Sequence, residues 1–408
     1  MNMRMHMISS LKMKNEKNMP LIRICEIKEK WLYKELKEVK DVRDGTHSSP
    51  KYIDNGYPLV TSKNLTDSGL NLNDVSLISE SDYNEINKRS KVEVGDILLG
   101  LIGTIGKPVL VDSEGFAIKN VGLIKNGGQL QNQFLLQYLK TNIFNKYIQI
   151  EMAGNTQKFL GLETLRNTKV PVPSPEEQIA MGSLFRTLDD LLSSYKDNLA
   201  NYQSLKATML SKMFPKAGQT VPEIRLDGFE GGWEEKEFSK LAKRVTQNSD
   251  SNSLPKVEFE DIISGQGRLN KDISNKFDNR KGIHFEPGYT LYGKLRPYLN
   301  NWLLPKFEGV ALGDFWVFDP NGNDSNFIYY LVQSSRYQKV ANDTSGTKMP
   351  RSDWKSVSST IFSIPQTITE QQAIGAYFSN LDNLIAAHQE KISQLEILKK
   401  KLLQDMFI

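Results

Sequence analysis

The sequence EQIAMGSLFRTLD at residues 177–189 returns as EQQAIGAYFSNLD at residues 370–382, 193 positions further along the chain. The two stretches continue to match without a gap as far as Phe214 and Phe407. Both copies keep the order Glu-Gln, then Gly, then Phe-x-x-Leu-Asp. A repeat of this length indicates that the chain of 408 residues contains one structural unit twice.

Two shorter matches extend the repeat over most of the chain. Residues 20–31 match residues 222–233 at Pro, Ile, Arg and Trp positions, and the pattern Gly-x-x-Leu-x-Gly occurs at residues 95–100 and 288–293. Each unit therefore comprises a globular part followed by a long stretch with regularly spaced apolar residues. We expect internal pseudo-symmetry between the two halves.

The apolar residues of the repeated stretches return every three to four positions over residues 176–214 and 369–408. This period is typical of an amphipathic helix. Since neither helix could stay folded with its apolar stripe in water, we expect the two to pack together as an antiparallel coiled coil. The alternative is that each helix packs only on its own domain. The residues predicted for the helix pair and for a subunit interface are Phe185, Leu188, Leu191, Leu205, Phe378, Leu381, Leu384 and Leu398.

The remaining sequence consists of short Val, Ile, Leu, Phe and Tyr runs separated by Gly, Asn, Ser and Asp, a pattern that predicts strands and turns with a few helices. The predicted fold class is α+β, with mixed sheets and helices in tandem repeat. The expected parts are a disordered N-terminal extension (1–19), a first domain (20–175), a central helix (176–214), a linker (215–232), a second domain (233–368) and a C-terminal helix (369–408).

Composition limits the class of protein. A hydrophobic fraction of 39% and a charged fraction of 25% are ordinary for a globular chain, and the net charge is only +4. No apolar run approaches the ~20 residues of a membrane span. The first residues do not have the pattern of a signal peptide. The single cysteine, Cys25, excludes an intramolecular disulfide framework, so we expect a cytoplasmic protein with no membrane association.

Motifs for catalysis are missing from the sequence. Gly106-Lys107 hints at a phosphate-binding loop, but such a loop needs Gly at position 101 and Ser or Thr at position 108, which are Leu101 and Pro108. The patterns H-E-x-x-H and G-x-S-x-G do not occur. The sequence therefore predicts no catalytic residues, no cofactor and no metal site.

A basic stretch in the second unit points to nucleic acid. If residues 292–301 are extended, one face carries Lys294, Arg296, Tyr298 and Asn300. Such side chains pair with base edges and phosphates. The alternative is an edge strand kept soluble by basic residues. Residues 101–107, at the same place in the first unit, are apolar and glycine-rich. A repeated framework with different exposed surfaces is what a protein that recognises two different sequences requires.

Three polar loops, at residues 44–52, 153–158 and 344–348, are further candidates for phosphate contacts. Each could equally be a purely structural loop. With Lys107, they supply the other predicted DNA-binding residues, which are Thr46, His47, Lys51, Tyr52, Thr156, Lys158, Thr347 and Lys348.

Several of these motifs together resemble the specificity (S) subunit of type I restriction-modification enzymes. They are the proline-led Glu-Gln entries at residues 173–178 and 365–371, the Phe-x-x-Leu-Asp helices, the Asp-Gly-Thr-His turn at 44–47 and the Leu-Arg-Pro-Tyr-Leu-Asn run at 295–300. The resemblance covers the chain from about residue 20 to its end.

The resemblance implies two target-recognition domains, separated by two long antiparallel helices, that bind the two halves of an interrupted site in double-stranded DNA. It also implies two methyltransferase subunits as partners, with restriction (motor-nuclease) subunits completing a host-defence complex in which this chain is not catalytic. The alternatives are the specificity subunit of a related system with a fused methyltransferase-nuclease partner and, from another class, a coiled-coil adaptor that binds proteins.

Overall fold

The computed structural model describes residues 20–23, 30–67, 69–153, 159–274, 276, 278–343 and 348–407. The chain forms two compact units. Unit 1 contains residues 1–195 and 391–408, and unit 2 contains residues 196–390. The predicted N-terminal extension, residues 1–19, lies outside the described residues. Each unit therefore includes one segment from each of the two repeated helical stretches.

The elements of unit 1 follow the expected alternation of short strands and helices. Its strands are β1 (Leu32–Glu35), β2 (Val42–Asp44), β3 (Tyr52–Ile53), β4 (Tyr57–Val60), β5 (Leu65–Thr66), β6 (Gly69–Leu70), β7 (Ser76–Ile78), β8 (Ile97–Gly100), β9 (Pro108–Leu110), β10 (Ala117–Ile118), β11 (Val121–Ile124) and β12 (Lys169–Val172). Its helices are α1 (Leu36–Val39), α2 (Glu80–Ser90), α3 (Asn132–Leu139), α4 (Asn142–Glu151), α5 (Leu162–Arg166) and the first part of α6 (Pro175–Lys212).

Unit 2 has a similar order of elements. Its strands are β13 (Glu234–Glu237), β14 (Lys243–Val245), β15 (Asn248–Ser249), β16 (Lys256–Val257), β17 (Ile262–Ile263), β18 (Arg268–Leu269), β19 (Gly282–Phe285), β20 (Thr290–Gly293), β21 (Trp302–Leu303), β22 (Gly309–Ala311), β23 (Phe315–Asp319) and β24 (Ile361–Ile364). Its helices are α7 (Phe238–Leu241), α8 (Ser325–Leu331), α9 (Ser335–Ala341), α10 (Trp354–Ser359) and the first part of α11 (Ile368–Asp405). The last part of α6 also belongs to unit 2, and the last part of α11 belongs to unit 1.

The two units share a sheet plan. Each has a two-stranded pair, β1-β12 or β13-β24, and an antiparallel four-stranded sheet, β2-β11-β8-β9 or β14-β23-β20-β21. Each also has a mixed sheet that contains one parallel pair, β10-β4 or β22-β16. The predicted α+β class, with mixed sheets and helices in tandem repeat, is confirmed.

The mixed sheets differ at one edge. In unit 2, β22 pairs with β16 on one side and with β19 on the other. In unit 1, β10 pairs only with β4 and helix α2 packs beside it. Among the described residues between β18 and β19, no helix corresponds to α2. The mixed sheets of the two units therefore differ at one edge, whereas the antiparallel four-stranded sheets have the same plan.

The repeated Glu of the Glu-Gln pair closes each unit. In unit 1, buried Glu177 accepts hydrogen bonds from Arg23 Nε and Nη2 at 2.8 and 2.6 Å and from Trp31 Nε1 at 2.9 Å. In unit 2, Arg225 donates to Glu370 at 2.7 and 2.8 Å and Trp233 Nε1 donates at 3.1 Å. A planar guanidinium that meets a carboxylate through two parallel bonds gives both strength and geometry. The glutamate thus fastens the segment before the first strand of each unit, β1 or β13, to the start of the long helix that follows the globular part.

The Gln and Gly of the repeated motif seat a shorter helix against each long one. Gln178 Oε1 accepts the backbone N–H of Gln131 at 2.8 Å, just before α3. A Cβ at Gly182 would lie 3.3 Å from the backbone nitrogen of Phe134 and 3.0 Å from a side-chain carbon of Gln133, so glycine permits this close approach. Gln371 and Gly375 play the same parts beside α8 in unit 2.

Within each unit the two long-helix segments pack antiparallel, as predicted. In unit 1 the ring centroids of Phe185 and Phe407 are 6.1 Å apart, and Lys399 pairs with Asp189. Because the partner number falls as the number along α6 rises, the helices run in opposite directions. In unit 2 Lys206 pairs with Asp382 at 2.7 Å, and Phe214 packs on Phe378 with centroids 6.0 Å apart.

The predicted stripe on these helices needs a correction. Phe185, Leu188, Phe378 and Leu381 are buried, but Leu191, Leu205, Leu384 and Leu398 are 36–44% exposed. The buried faces continue through Ile392 and Leu395, as the helical period predicts, and through Leu192, which the prediction did not include. At about 100° per residue, Phe185 and Leu192 lie to one side of Leu188, whereas Leu191 lies about 60° to the other side and so leaves the packed face.

Candidate nucleic-acid interface

Loops gather at one end of the antiparallel sheet in each unit. In unit 1 the register Asp44–Gly122–Leu99 places the ends of β2 and β8 beside the start of β11. In unit 2, Val245, Val317 and Leu291 are in the same relation. We define the strand-end surface of unit 1 as residues 45–51, 101–107, 119–120 and 159, and that of unit 2 as residues 246–248, 294–301, 314 and 348–351.

The basic stretch of unit 2 is a tight turn, so the prediction of one extended face is wrong. Arg296 and Asn300 have left-handed backbones, with φ of 49° and 55°, and the residues between them, Pro297–Leu299, form one turn of 3-10 helix. Alternate side chains share a face only in extended chain. Arg296 and Tyr298 are exposed, whereas Lys294 and Asn300 are partly buried.

Tertiary hydrogen bonds hold this turn against a distant segment. The N–H of Arg296 donates to the Pro350 carbonyl at 2.7 Å, and the N–H of Ser352 donates to the Lys294 carbonyl at 2.8 Å. Leu295 and Arg351 form an antiparallel bridge. Lys348, predicted from a different loop, is exposed in this same segment. The structure thus brings two separately predicted groups of residues together.

One carboxylate organises the charges of this surface. Asp314 lies 3.0 Å from Arg351 Nη2 and 3.6 Å from Lys294 Nζ, and the Arg351 guanidinium lowers the pKa of Asp314 below its usual value. Within the described part of the chain, the Arg296 guanidinium and the Tyr298 hydroxyl form no side-chain hydrogen bond or ion pair. Arg296 and Tyr298 are therefore free to meet acceptors of a ligand.

Unit 1 presents an apolar turn at the equivalent place. A Cβ at Gly100 would lie 1.8 Å from the carbonyl oxygen of Thr104, so the chain can reverse here only at glycine. Ile102 and Phe159 form an antiparallel β-bridge, as Leu295 and Arg351 do in unit 2. The side chains of Ile102 and Phe159 are 43% and 46% exposed. Lys107 is held by Asp67, with Nζ 2.9 Å from Oδ1.

A histidine cluster forms the second part of this surface. His47 Nε2 is 2.8 Å from Asp44 Oδ2, and its Nδ1 is 2.9 Å from Asn120 Oδ1. The other carboxylate oxygen of Asp44 binds Arg89 at 2.6 Å. The hydrogen bonds to Asn120 and Asp44 raise the pKa of His47. Beside this cluster, the backbones of Thr46 and Lys119 form a parallel β-bridge.

The remaining predicted residues have different positions. Lys51 and Tyr52 are exposed, and Tyr52 begins β3, at the edge of the mixed sheet opposite β10. Thr156, Lys158 and Thr347 lie outside the described residues. The residues of the two surfaces that the sequence interpretation missed are Asn120, Phe159, Asp314 and Arg351. Arg351 could have been found as the basic residue that follows the predicted loop, whereas the other three are defined by tertiary contacts alone.

Two kinds of feature are absent from the described residues. No three His, Cys, Asp or Glu side chains among them come together as a metal site requires. None of the helices that they form combines the length and apolar character of a bilayer crossing.

Comparison with known proteins adds relatives of similar length. The chain is 23% identical to a protein of Methanocaldococcus jannaschii assigned as the MjaX type I restriction enzyme specificity subunit, over 97% of both chains. It is 23% identical to the MjaIX type I restriction enzyme specificity subunit of the same organism, over 80% of this chain and 81% of the relative.

The fold also matches a solved structure. The S subunit of the type I restriction-modification system from M. genitalium superposes with a TM-score of 0.63 at 14% identity, over 96% of this chain and 99% of that one. The model of the type I restriction modification DNA specificity domain matches residues 28–201 and 237–397, which is most of both halves of the repeat. The chain therefore belongs to the type I restriction modification DNA specificity family.

Proposed function

We propose that this chain is the DNA sequence-recognition subunit of a type I restriction-modification complex. Each unit binds one half of a bipartite site in double-stranded DNA through its strand-end surface. The observation that carries this proposal is the contrast between the two copies. The contacts made by Glu177 and Glu370 repeat closely, whereas the turns after Gly100 and Gly293 differ in shape, charge and polarity.

The surface of unit 2 has the chemistry of a base and phosphate binder. Arginine can donate two hydrogen bonds to guanine O6 and N7, and tyrosine and lysine commonly contact phosphate oxygens. We expect Arg296 to contact a base, and Tyr298 and Lys348 to contact phosphates beside it. Lys294 and Asn300 support the turn and contribute at its margin.

The surface of unit 1 suits a different half-site. His47 and Thr46 offer a ring and a hydroxyl for hydrogen bonds, and Ile102 and Phe159 offer apolar contact of the kind that thymine methyl groups accept. Lys51, Tyr52 and Lys107 would contact the phosphate backbone of the DNA. We also propose that Thr156 and Lys158 contact the DNA of this half-site.

Partner subunits supply the chemistry in this proposal. Two methyltransferase subunits would bring S-adenosylmethionine and the catalytic residues, and restriction subunits would join them in the cytoplasm. Leucines at the same position of the repeated motif, Leu191 and Leu384, are 41% and 40% exposed, as are Leu205 and Leu398 at 36% and 44%. Apolar side chains exposed on a helix are candidates for burial by a partner. We propose that these four contact the methyltransferase subunits.

Reconstitution of the complex tests whether this chain supplies DNA recognition and the methyltransferase subunits supply catalysis. The chain alone should neither methylate DNA nor hydrolyse ATP, and should bind DNA weakly. Addition of the two methyltransferase subunits of the complex should give methylation of adenine within one bipartite sequence. The methyltransferase subunits without this chain are the control and should be inactive. Efficient methylation by this chain alone would overturn the proposal.

A further inference from the structure

In unit 2 a carboxylate joins the helix pair to the globular part. Asp382, on α11, accepts the Tyr330 hydroxyl at 2.8 Å and pairs with Lys206 of α6 at 2.7 Å. Lys206 also donates to Gln333 Oε1 at 3.1 Å and lies over the Tyr330 ring. Burial and the neighbouring Asp382 raise the pKa of Tyr330, so its hydroxyl stays a donor. We call Asp382, Lys206, Tyr330 and Gln333 the joint of unit 2.

Unit 1 has the corresponding joint, made of Asp189, Lys399, Gln137 and Lys140. The ion pair between the helices is kept, since Lys399 binds Asp189. The links to the globular part are longer, with Gln137 Nε2 at 3.5 Å and Lys140 Nζ at 3.9 Å from Asp189 Oδ2. Burial and the nearby Lys399 charge lower the pKa of Lys140. Two ammonium groups thus compete for one carboxylate.

The two joints therefore differ in how firmly they hold their domains. In unit 2 two hydrogen bonds connect the helix pair to the globular part. The Tyr330 hydroxyl of α8 donates to the Asp382 carboxylate, and Lys206 donates to Gln333, just after α8. In unit 1 the same carboxylate reaches α3 only at 3.5 Å or more. Hydrogen bonds to charged groups weaken steeply as they lengthen and lose linearity.

We propose that Asp382 is a positioning residue for bipartite DNA recognition. Its joint fixes the globular part of unit 2 on the paired helices and so restricts the spacer length that the protein accepts, while the joint of unit 1 allows its domain more adjustment. This inference rests on the proposed function. It assigns a role in recognition to the Asp of the Phe-x-x-Leu-Asp motif, which lies outside both strand-end surfaces.

Methylation of DNA with varied spacers tests the joint. The complex of the full chain with its methyltransferase subunits is given DNA in which both half-sites are kept and the spacer is changed by one or two base pairs. Asp382→Asn and Lys206→Met should raise the rate on the altered spacers, relative to the best spacer, by roughly tenfold, the size of one lost coupling between contacting charges. Tyr330→Phe, which removes a single hydroxyl and keeps the ring, should shift the ratio in the same direction.

Matched variants separate positioning from general damage. Asp189→Asn should change the spacer ratio less than Asp382→Asn does. Asp190→Asn should leave it unchanged, because Asp190 is 74% exposed and its neighbour Arg186 is 3.9 Å away. Thermal unfolding identifies any variant that fails to fold, and Tyr330→Phe then carries the test.

Two results would overturn the inference. One is an unchanged spacer ratio in Tyr330→Phe and in the folded variants of Asp382 and Lys206. The other is an equal fall in rate on every spacer, which would make the joint merely structural. A wild-type complex with no preferred spacer would contradict the proposed function itself, and so the two failures are distinguishable.

Discussion

The two units hold their helices with the same residues and present different surfaces to solvent. Glu177 and Glu370 each accept three hydrogen bonds from one arginine and one tryptophan. At the strand ends, unit 1 has an apolar glycine turn and unit 2 has a basic 3-10 turn at the equivalent position of its sheet. Buried polar groups must keep their partners, so the framework resists change, whereas exposed loops are free to differ.

A less obvious difference lies where each short helix after the first strand meets the loop before α3 or α8. In unit 1, Lys40 donates from its buried ammonium to the carbonyl oxygens of Gly127 and Leu130 at 2.5 and 3.0 Å. In unit 2 the direction is reversed, because Asn323 Nδ2 donates to the Leu241 carbonyl at 2.9 Å and Ala242 takes the place of the lysine. The same contact between a short helix and a loop can thus be made by two different arrangements of hydrogen-bond donors.

The largest expected effect tests whether the shared framework is equally important in both units. Glu177→Ala and Glu370→Ala each leave a partly buried arginine and a buried indole N–H without their acceptor. Breaking a buried ion pair in this way costs about 3–5 kcal/mol of unfolding free energy. Urea unfolding of each variant, compared with that of the unchanged chain, checks this.

The exposed neighbour supplies the control for this prediction. Glu176→Ala should change stability by no more than about 0.5 kcal/mol, as is usual for surface substitutions. A large loss in one unit and none in the other would break the equivalence of the two frameworks.

The next effect concerns the surfaces. Arg296→Ala should weaken or relax recognition of one half-site only, by ~1–3 kcal/mol, because one bidentate base contact is lost. Binding of the methyltransferase complex to DNA with either half-site mutated measures this. Lys306→Ala is the control, since Lys306 is exposed in the loop between β21 and β22, at the other end of the strands. Equal weakening on all DNA would make Arg296 a phosphate contact.

Lys40 should make the stability of unit 1 increase at alkaline pH. Burial lowers the pKa of Lys40 to about 8, whereas an unfolded lysine titrates near ~10.4. Between these values the unfolded chain binds the extra proton, so the unfolding free energy rises with pH. Lys40→Ala, which copies Ala242 of unit 2, should remove this rise. A rise of the same size in the variant would assign it to another group.

His47 should give unit 1 a smaller pH dependence of opposite sign. Hydrogen bonds to Asn120 and Asp44 raise its folded pKa. The stabilisation is therefore complete below the ordinary value of about 6.5 and is lost as pH rises through the raised one. His47→Asn copies Asn248, which likewise follows the strand by three residues in unit 2. The stability difference between wild type and variant should shrink as pH rises, and a constant difference would contradict this.

The repeat and its long helices could be predicted because they depend on local period and on buried residues that recur in order. The turn at residues 294–301 could not, since Arg296 takes its left-handed backbone where its N–H donates to the carbonyl oxygen of the distant Pro350. The packed face of α6 was misplaced at Leu191, beside the buried Leu192, for a related reason. Which of two adjacent apolar positions faces inward depends on the partner helix, which the period alone does not specify.

Adenine methylation across the genome of the host, sequenced with and without this gene, tests the central claim most directly. The account predicts one methylated motif with two specified halves and an unspecified spacer of fixed length, and this motif should disappear when the gene is removed. In a strain that carries Arg296→Ala, only one half of the motif should become less specific. A methylation pattern that is unchanged by removal of the gene, or a lost motif that is one continuous sequence, would contradict the claim that two different surfaces on one repeated framework recognise two half-sites.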